Sequence, residues 1–269
     1  MGKSASRPVI MALALAWSLF FTSVHAADWV LYDDFQNNTV DISKWVVGFN
    51  GPLNGETAVY EHFGKLHLLL RAYGNLATDQ GTTGAQLRTD IRGQSPRGIM
   101  ADIEIMRYDF AVCPENANGR VRTRIGAMFF NKGHQVPNSH ENDIWAVIQL
   151  VREAGSTDPE EMLTAELYTF LCGDTNCNQG TTIETLKLGL VAVGQKVRLR
   201  LEWDPENNRI IGQLNDNPEQ AIAYEVEDTL PPSYPTRTIQ LSYSVPNGQC
   251  QERPLAFMHS TIHNVWVLP

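Results

Sequence analysis

Apolar residues recur every second position along much of this chain, and that period limits what it can fold into. Leu66, Leu68 and Leu70 recur at every second position, as do Val121, Thr123 and Ile125, then Val197, Leu199, Leu201 and Trp203, then Ile239, Leu241, Tyr243 and Val245. A two-residue repeat sends successive side chains to opposite faces, so each run reads as a strand with one face in a core. Ile262, Val265 and Val267 belong to a last strand near the chain end. Turn-forming clusters separate the runs: Asn50-Gly51-Pro52, Asp204 to Asn208, Asn215 to Pro218 and Pro231-Pro232. The single helical candidate, residues 183–190, is short and reads equally well as loop or strand. Many strands at short spacing, without alternating helices, imply an all-β fold: an antiparallel β-sandwich or jelly roll, and not a βαβ architecture.

Composition fits one such domain. The chain has 269 residues, 43% apolar and 19% charged, and neither a composition break nor a repeat divides residues 27–269. Its formal net charge is −9, and no Lys/Arg run interrupts that balance, which argues against nucleic acid and anionic lipid. Acidic polymers are also disfavoured unless a local basic stripe overrides the mean. Residues 1–26 read as a signal peptide: Lys3 and Arg7 precede an apolar run from Val9 to Phe21, and Val24-His25-Ala26 suits cleavage before Ala27. No apolar run is long enough to predict a membrane span. The expected destination is periplasmic or extracellular. Cys113, Cys172, Cys177 and Cys250 are an even set that suits an oxidising compartment; the expected pairs are Cys172 with Cys177 and Cys113 with Cys250. No zinc-ligand pattern accompanies them, so no metal is assigned there.

Five landmarks then occur in order: Asp34-Phe35, Asp41 to Trp45, Gly64 to Leu68, Trp203-Asp204 through Leu214, and His263-Asn264-Val265-Trp266-Val267. Together they resemble the concanavalin A-like lectin/glucanase jelly-roll superfamily, which includes LamG-like and family 16 glycosidase-related proteins. The resemblance spans nearly all of residues 27–269. It implies a carbohydrate ligand and, in some members, a structural Ca2+ held between the chain ends. This chain departs from the pattern there, with His263 in place of the usual acid. No other cofactor is expected.

Parity sorts the candidate site residues. In the run from Asp143, the residues Ile144, Ala146, Ile148 and Leu150 should enter the core, leaving Asp143, Trp145, Val147 and Gln149 on the other face with Glu141 nearby. Leu163, Ala165 and Leu167 similarly send Glu166, Tyr168 and Phe170 outward, and Arg120, Arg122 and Arg124 share one face. Aromatic rings stack on pyranose faces, while carboxylates and guanidinium groups match sugar hydroxyls. Trp145, Asp143, Glu141, Gln149, Tyr168, Arg122 and Arg124 are therefore expected to bind an oligo- or polysaccharide without cutting it.

The alternative is hydrolysis. Family 16 glucanases carry Glu-x-Asp-x-(x)-Glu, and Glu141-Asn142-Asp143-Ile144-Trp145-Ala146 supplies two of those three acids. Glu141 would be the nucleophile and Asp143 its tuning residue, with Glu166 on the next strand as the substitute acid. Retaining hydrolysis needs two carboxyls about 5 to 5.5 Å apart. Lyase-type jelly rolls use Arg, Gln, His and Tyr; Arg88, Arg92, Gln149 and Tyr168 are of those types, but no His stands beside Gln149. A structural role with a protein partner, in an envelope or extracellular assembly, is a further alternative. His134 and His140 flank the loop before Glu141 and could overhang the site.

Overall fold

The computed structural model describes residues 28–50, 55–73, 83–91, 95–111, 120–177, 179–245 and 255–269. The expected signal peptide, Cys113, Cys250 and Arg92 lie outside these residues. Among the described residues the regular elements are fifteen strands and one 3-10 turn, Pro205–Asn207. One sheet, A, runs in the order β13 (Gln220–Ala223), β12 (Arg209–Leu214), β11 (Lys196–Asp204), β6 (Gly98–Ala111), β15 (Leu255–Leu268), β4 (Leu66–Tyr73), β3 (Gly55–Glu61); β1 (Val30–Asp33) also pairs with β15. The other, B, runs β10 (Gly180–Ala192), β9 (Met162–Cys172), β8 (Asp143–Glu153), β7 (Arg120–Asn131), β14 (Arg237–Val245), β5 (Thr83–Ile91), β2 (Trp45–Asn50). Every pairing between these strands is antiparallel. The expected antiparallel sandwich is the observed fold, and residues 183–190 are strand.

The alternating apolar residues fill the space between the sheets. Leu66, Leu68, Ile103 and Leu199 from sheet A meet Ile125, Ile148, Leu167 and Leu241 from sheet B, all fully buried. Burying each such side chain contributes about 1.5–3 kcal/mol. Gly212 permits a close approach between layers, since a Cβ there would lie 2.9 Å from Leu167 Cδ2. Thr123 is the polar member of its core-facing run, and its hydroxyl bonds across the core to Ser260.

The odd spacing of Ile262 and Val265 has a local cause. The β15 register shifts between Ile262 and Asn264, so residues on either side of the bulge can both face inward; Ile262 and Val265 are both fully buried. The early landmark is likewise structural: the Trp45 indole N–H donates to Asp33 Oδ2 at 2.8 Å, and its ring stacks on Phe35. That contact ties the entry segment to β2.

Candidate functional site

The outward face of sheet B carries a groove of about 520 Å³. Its floor is assembled across four adjacent strands: Arg120, Arg122 and Arg124 on β7, Trp145, Gln149 and Glu153 on β8, Glu166, Tyr168 and Phe170 on β9, and Thr182 and Thr185 on β10. On β7, β8 and β9 these residues reach one face because they oppose the apolar parity of their strands, and on β10 a register shift between Thr182 and Glu184 lets Thr182 and Thr185 share it. Pairing then aligns them laterally: Arg124 lies opposite Gln149, Gln149 opposite Glu166, and Trp145 opposite Phe170. Cys177 lies at the rim, where the expected bond to Cys172 holds the turn after β9.

Hydrogen bonds lock this floor. Arg124 is 1% exposed, donates from Nη1 to Tyr168 Oη at 3.0 Å, and places its guanidinium 4.6 Å from the Trp145 ring centre. With its amide oriented to satisfy both groups, Gln240 on β14 accepts from Arg124 Nε and Nη2. Arg122 donates to Ser242 Oγ at 2.7 Å and to Gln149 Oε1 at 3.3 Å, and Gln149 passes a second bond to Glu166 Oε2 at 2.8 Å. The result is a polar relay across β14, β7, β8 and β9. Trp145, partly exposed, is the aromatic surface within it.

Burial and like charge shape its electrostatics. Desolvation, reinforced by the neighbouring Arg124 charge, holds the Arg122 guanidinium well below its ordinary value; burial also lowers Arg124. Burial by itself would raise the Tyr168 phenol, but the Arg124 and Arg122 charges and the bond from Arg124 outweigh it, so Tyr168 sits below 10.0. The three arginines outnumber the two glutamates of the groove, which makes this face locally positive against the chain's negative mean.

The structure separates several residues that the sequence reading grouped together. Arg122, Arg124, Trp145, Gln149, Glu166 and Tyr168 do share the groove. Asp143 does not: it is 0% exposed, accepting from Asn131 Nδ2 at 2.8 Å and the Ser233 N–H at 3.1 Å, with His140 Nδ1 at 3.0 Å. Its parity is outward, yet the segments around residues 131–140 and 231–234 cover it. This buried structural carboxylate corrects the expectation of an open-face ligand residue. Glu141 is exposed in the turn before β8, outside the groove lining. Gln149, the neighbour of Glu166, lies six residues along β8 from Asp143, roughly 20 Å of strand. Glu166 therefore cannot complete an acid pair with Glu141 or Asp143 at the spacing retaining hydrolysis requires.

Other expectations are refined similarly. His140 is held against Asp143 and Tyr234 and does not line the groove, nor does His134. The side chain of Arg88 lies outside the described residues. At the chain-end position where the resemblance implied Ca2+, His263 Nε2 lies 3.1 Å from Glu104 Oε2 and Lys65 Nζ 3.5 Å from the same oxygen. A carboxylate shared by an imidazole nitrogen and an ammonium does not fit the oxygen shell of Ca2+.

Three contributors had escaped assignment to the site. Gln240 and Ser242 alternate visibly with core residues, but their partnership with Arg124 and Arg122 depends on β14 lying beside β7, far away in sequence. Gly126 gives no periodic signal. It nevertheless leaves room for the indole, because a Cβ there would meet Trp145 Nε1 at 2.8 Å.

No protein-family model matches the chain, and no curated protein matches it. Among solved structures it is similar to LamAcat from Zobellia galactanivorans, at 12% identity and TM-score 0.47, over 88% of this chain and 96% of that one. It is also similar to a laminarinase from Flavobacterium sp. UMI-01, at 12% identity and TM-score 0.44 over 88% and 98% of the chains. The Emp47p carbohydrate recognition domain aligns at 10% identity and TM-score 0.42, over 89% and 98%. The sandwich architecture rests on the two paired sheets themselves.

Proposed function

We propose that this protein is an exported, lectin-like jelly roll whose groove on sheet B binds an oligo- or polysaccharide without cleaving it. The observation that carries this reading is Trp145, partly exposed on the groove floor and flanked by fixed guanidinium, amide, phenol and carboxylate groups. An immobilised indole beside polar groups suits a pyranose, whose apolar face can stack while its hydroxyls exchange hydrogen bonds. Pre-formed side-chain contacts reduce the ordering cost of binding. The leader-like residues 1–26 and the Cys172–Cys177 bond support export. Among the described residues, no helix is long and apolar enough to cross a membrane.

Hydrolysis has weaker support because the acids that resemble the family 16 motif are divided between a buried anchor and an exposed turn. A glycan panel, read for both binding and reducing-end release, separates the two functions. Retained binding in Glu141→Gln, a loss of roughly 30-fold or more in Trp145→Ala, and no new reducing ends support the lectin-like reading. Reducing ends that disappear in Glu141→Gln would overturn it in favour of a hydrolase.

A further inference from the structure

We propose that the glycan taken by this groove is acidic, and that Arg120 and Arg122 receive its carboxylate or sulfate group. This inference rests on the saccharide-binding reading and names its ligand class. The three groove arginines lie at alternate positions on β7, but they are not equivalent. Arg124 is committed to Tyr168, Gln240 and the Trp145 ring, and therefore builds the floor. Arg122 uses Nε for Ser242 and Nη1 for Gln149. A guanidinium has five N–H donors, and the other three on Arg122 have no acceptor among the described residues. Arg120 makes neither a hydrogen bond nor an ion pair among them.

The two groove acids, Glu153 and Glu166, offset the charge of the three arginines only in part. Glu166, the nearest groove carboxylate along the relay, accepts from Gln149 and is thus one residue removed from Arg122. Glu153 lies opposite Arg120 in register, but no ion pair forms between them. Other described arginines have their donors taken up: Arg198 pairs with Asp102, Arg200 with Glu202 and Glu219, and Arg209 with Asp204, while Arg152 and Arg237 donate to backbone carbonyls. A second groove, of about 360 Å³ on sheet A, likewise contains Arg71 with Glu56 and Arg107 with Asp109. In a chain of net charge −9 acids are in excess, yet among the described residues Glu153 acts on Arg122 only through space and neither guanidinium forms an ion pair with a carboxylate. Burial makes an unpaired charge costly, and an arriving anion would offset that cost.

The free edge of Arg122 is a planar fork of the kind that engages carboxylates and sulfate-like anions in bidentate geometry. Trp145 would supply the stacking surface, while the cations select the charged substituent. Such a site works locally: its attraction is screened over about 8 Å at physiological ionic strength, so the negative mean of the chain does not prevent it.

The test is a calorimetric panel of matched probes: oligogalacturonate, its methyl ester, and a sulfated galactan beside its desulfated form. The expected result is at least tenfold tighter binding of a charged probe than of its neutral match, with the preference diminishing as salt rises. A uronate preference identifies a carboxylate as the ligand group, and a sulfated-galactan preference identifies a sulfate ester. Arg120→Gln and Arg122→Gln should each reduce the preference, read within one variant as the ratio of charged-probe to neutral-probe affinity, so that a general loss of saccharide binding, which lowers both affinities together, does not count as support. Arg120→Gln provides the independent variant if Arg122→Gln fails to fold. Equal binding of charged and neutral probes overturns the acidic-ligand inference and leaves saccharide binding standing; no binding by any probe overturns both.

Discussion

Replacing Asp143 by alanine tests whether this motif residue is an anchor or part of the ligand site. The substitution removes a fully buried acceptor from Asn131 Nδ2, the Ser233 N–H and the His140 side chain. His140 is partly exposed and can be hydrated, whereas the Asn131 side chain is sealed and the Ser233 N–H is turned inward toward the lost acceptor. Asn131 Nδ2 keeps its bond to the Glu141 carbonyl, so one of its N–H groups and the Ser233 N–H are stranded; at about 1.5–2 kcal/mol each they give a cost of about 3–4 kcal/mol. For a domain of this size, that corresponds to a fall in Tm of roughly 6–16 °C. Asp143→Asn keeps one oxygen for Asn131 and Ser233, and its amide can donate to His140 in the appropriate tautomer; its cost should be about 1 kcal/mol. Differential scanning calorimetry, paired with glycan binding on the folded protein, measures both effects. A Tm change below about 2 °C for the alanine variant, together with lost binding in the asparagine variant, would refute the anchor assignment.

Gly126→Ala should displace the indole, because the new methyl lies within contact distance of Trp145 Nε1; altered tryptophan fluorescence and a stability loss of about 1–3 kcal/mol are expected. An unchanged emission spectrum would show that the ring has room to spare. Ultraviolet titration should find a phenol ionising below 10.0, and Arg124→Leu should move that titration upward by leaving burial less opposed. With the native pKa depressed, the Tyr168 contribution is fully present above the unfolded value and is lost as pH falls through the native one. On sheet A, burial depresses both His67 and His259, whose ring nitrogens lie 3.1 Å apart. Their neutral forms should therefore contribute stability above pH 6.5 that is lost on acidification through the native values, and His259→Phe should flatten the urea-midpoint profile between pH 7 and 5.

The extent of the groove that could be read from sequence follows from the local nature of side-chain parity. Leu163, Ala165 and Leu167 identify one face of β9 and thereby place Glu166 and Tyr168 on the other. The same rule assigns Arg122, Arg124, Trp145 and Gln149. It fails at Asp143 because parity records direction but not covering: the residue points outward under segments supplied by residues 131–140 and 231–234. The acid motif consequently looked like a functional cluster when one carboxylate was a structural joint. Strand neighbours were equally hidden, since the contacts from Gln240 and Ser242 arise from the pairing of β14 with β7. At Gly126, the decisive feature is the missing side chain, visible only once the adjacent indole has been placed.

The central claim is that Trp145 receives a sugar at the groove floor. Selective 15N labelling of tryptophan, with the Trp145 indole N–H assigned through Trp145→Phe, reads that contact directly while a panel-selected oligosaccharide is titrated. A saturable shift of the Trp145 resonance, with the indole of buried Trp45 unmoved, is predicted. Saturable sugar binding that leaves Trp145 unchanged would contradict the account and locate recognition elsewhere on the protein.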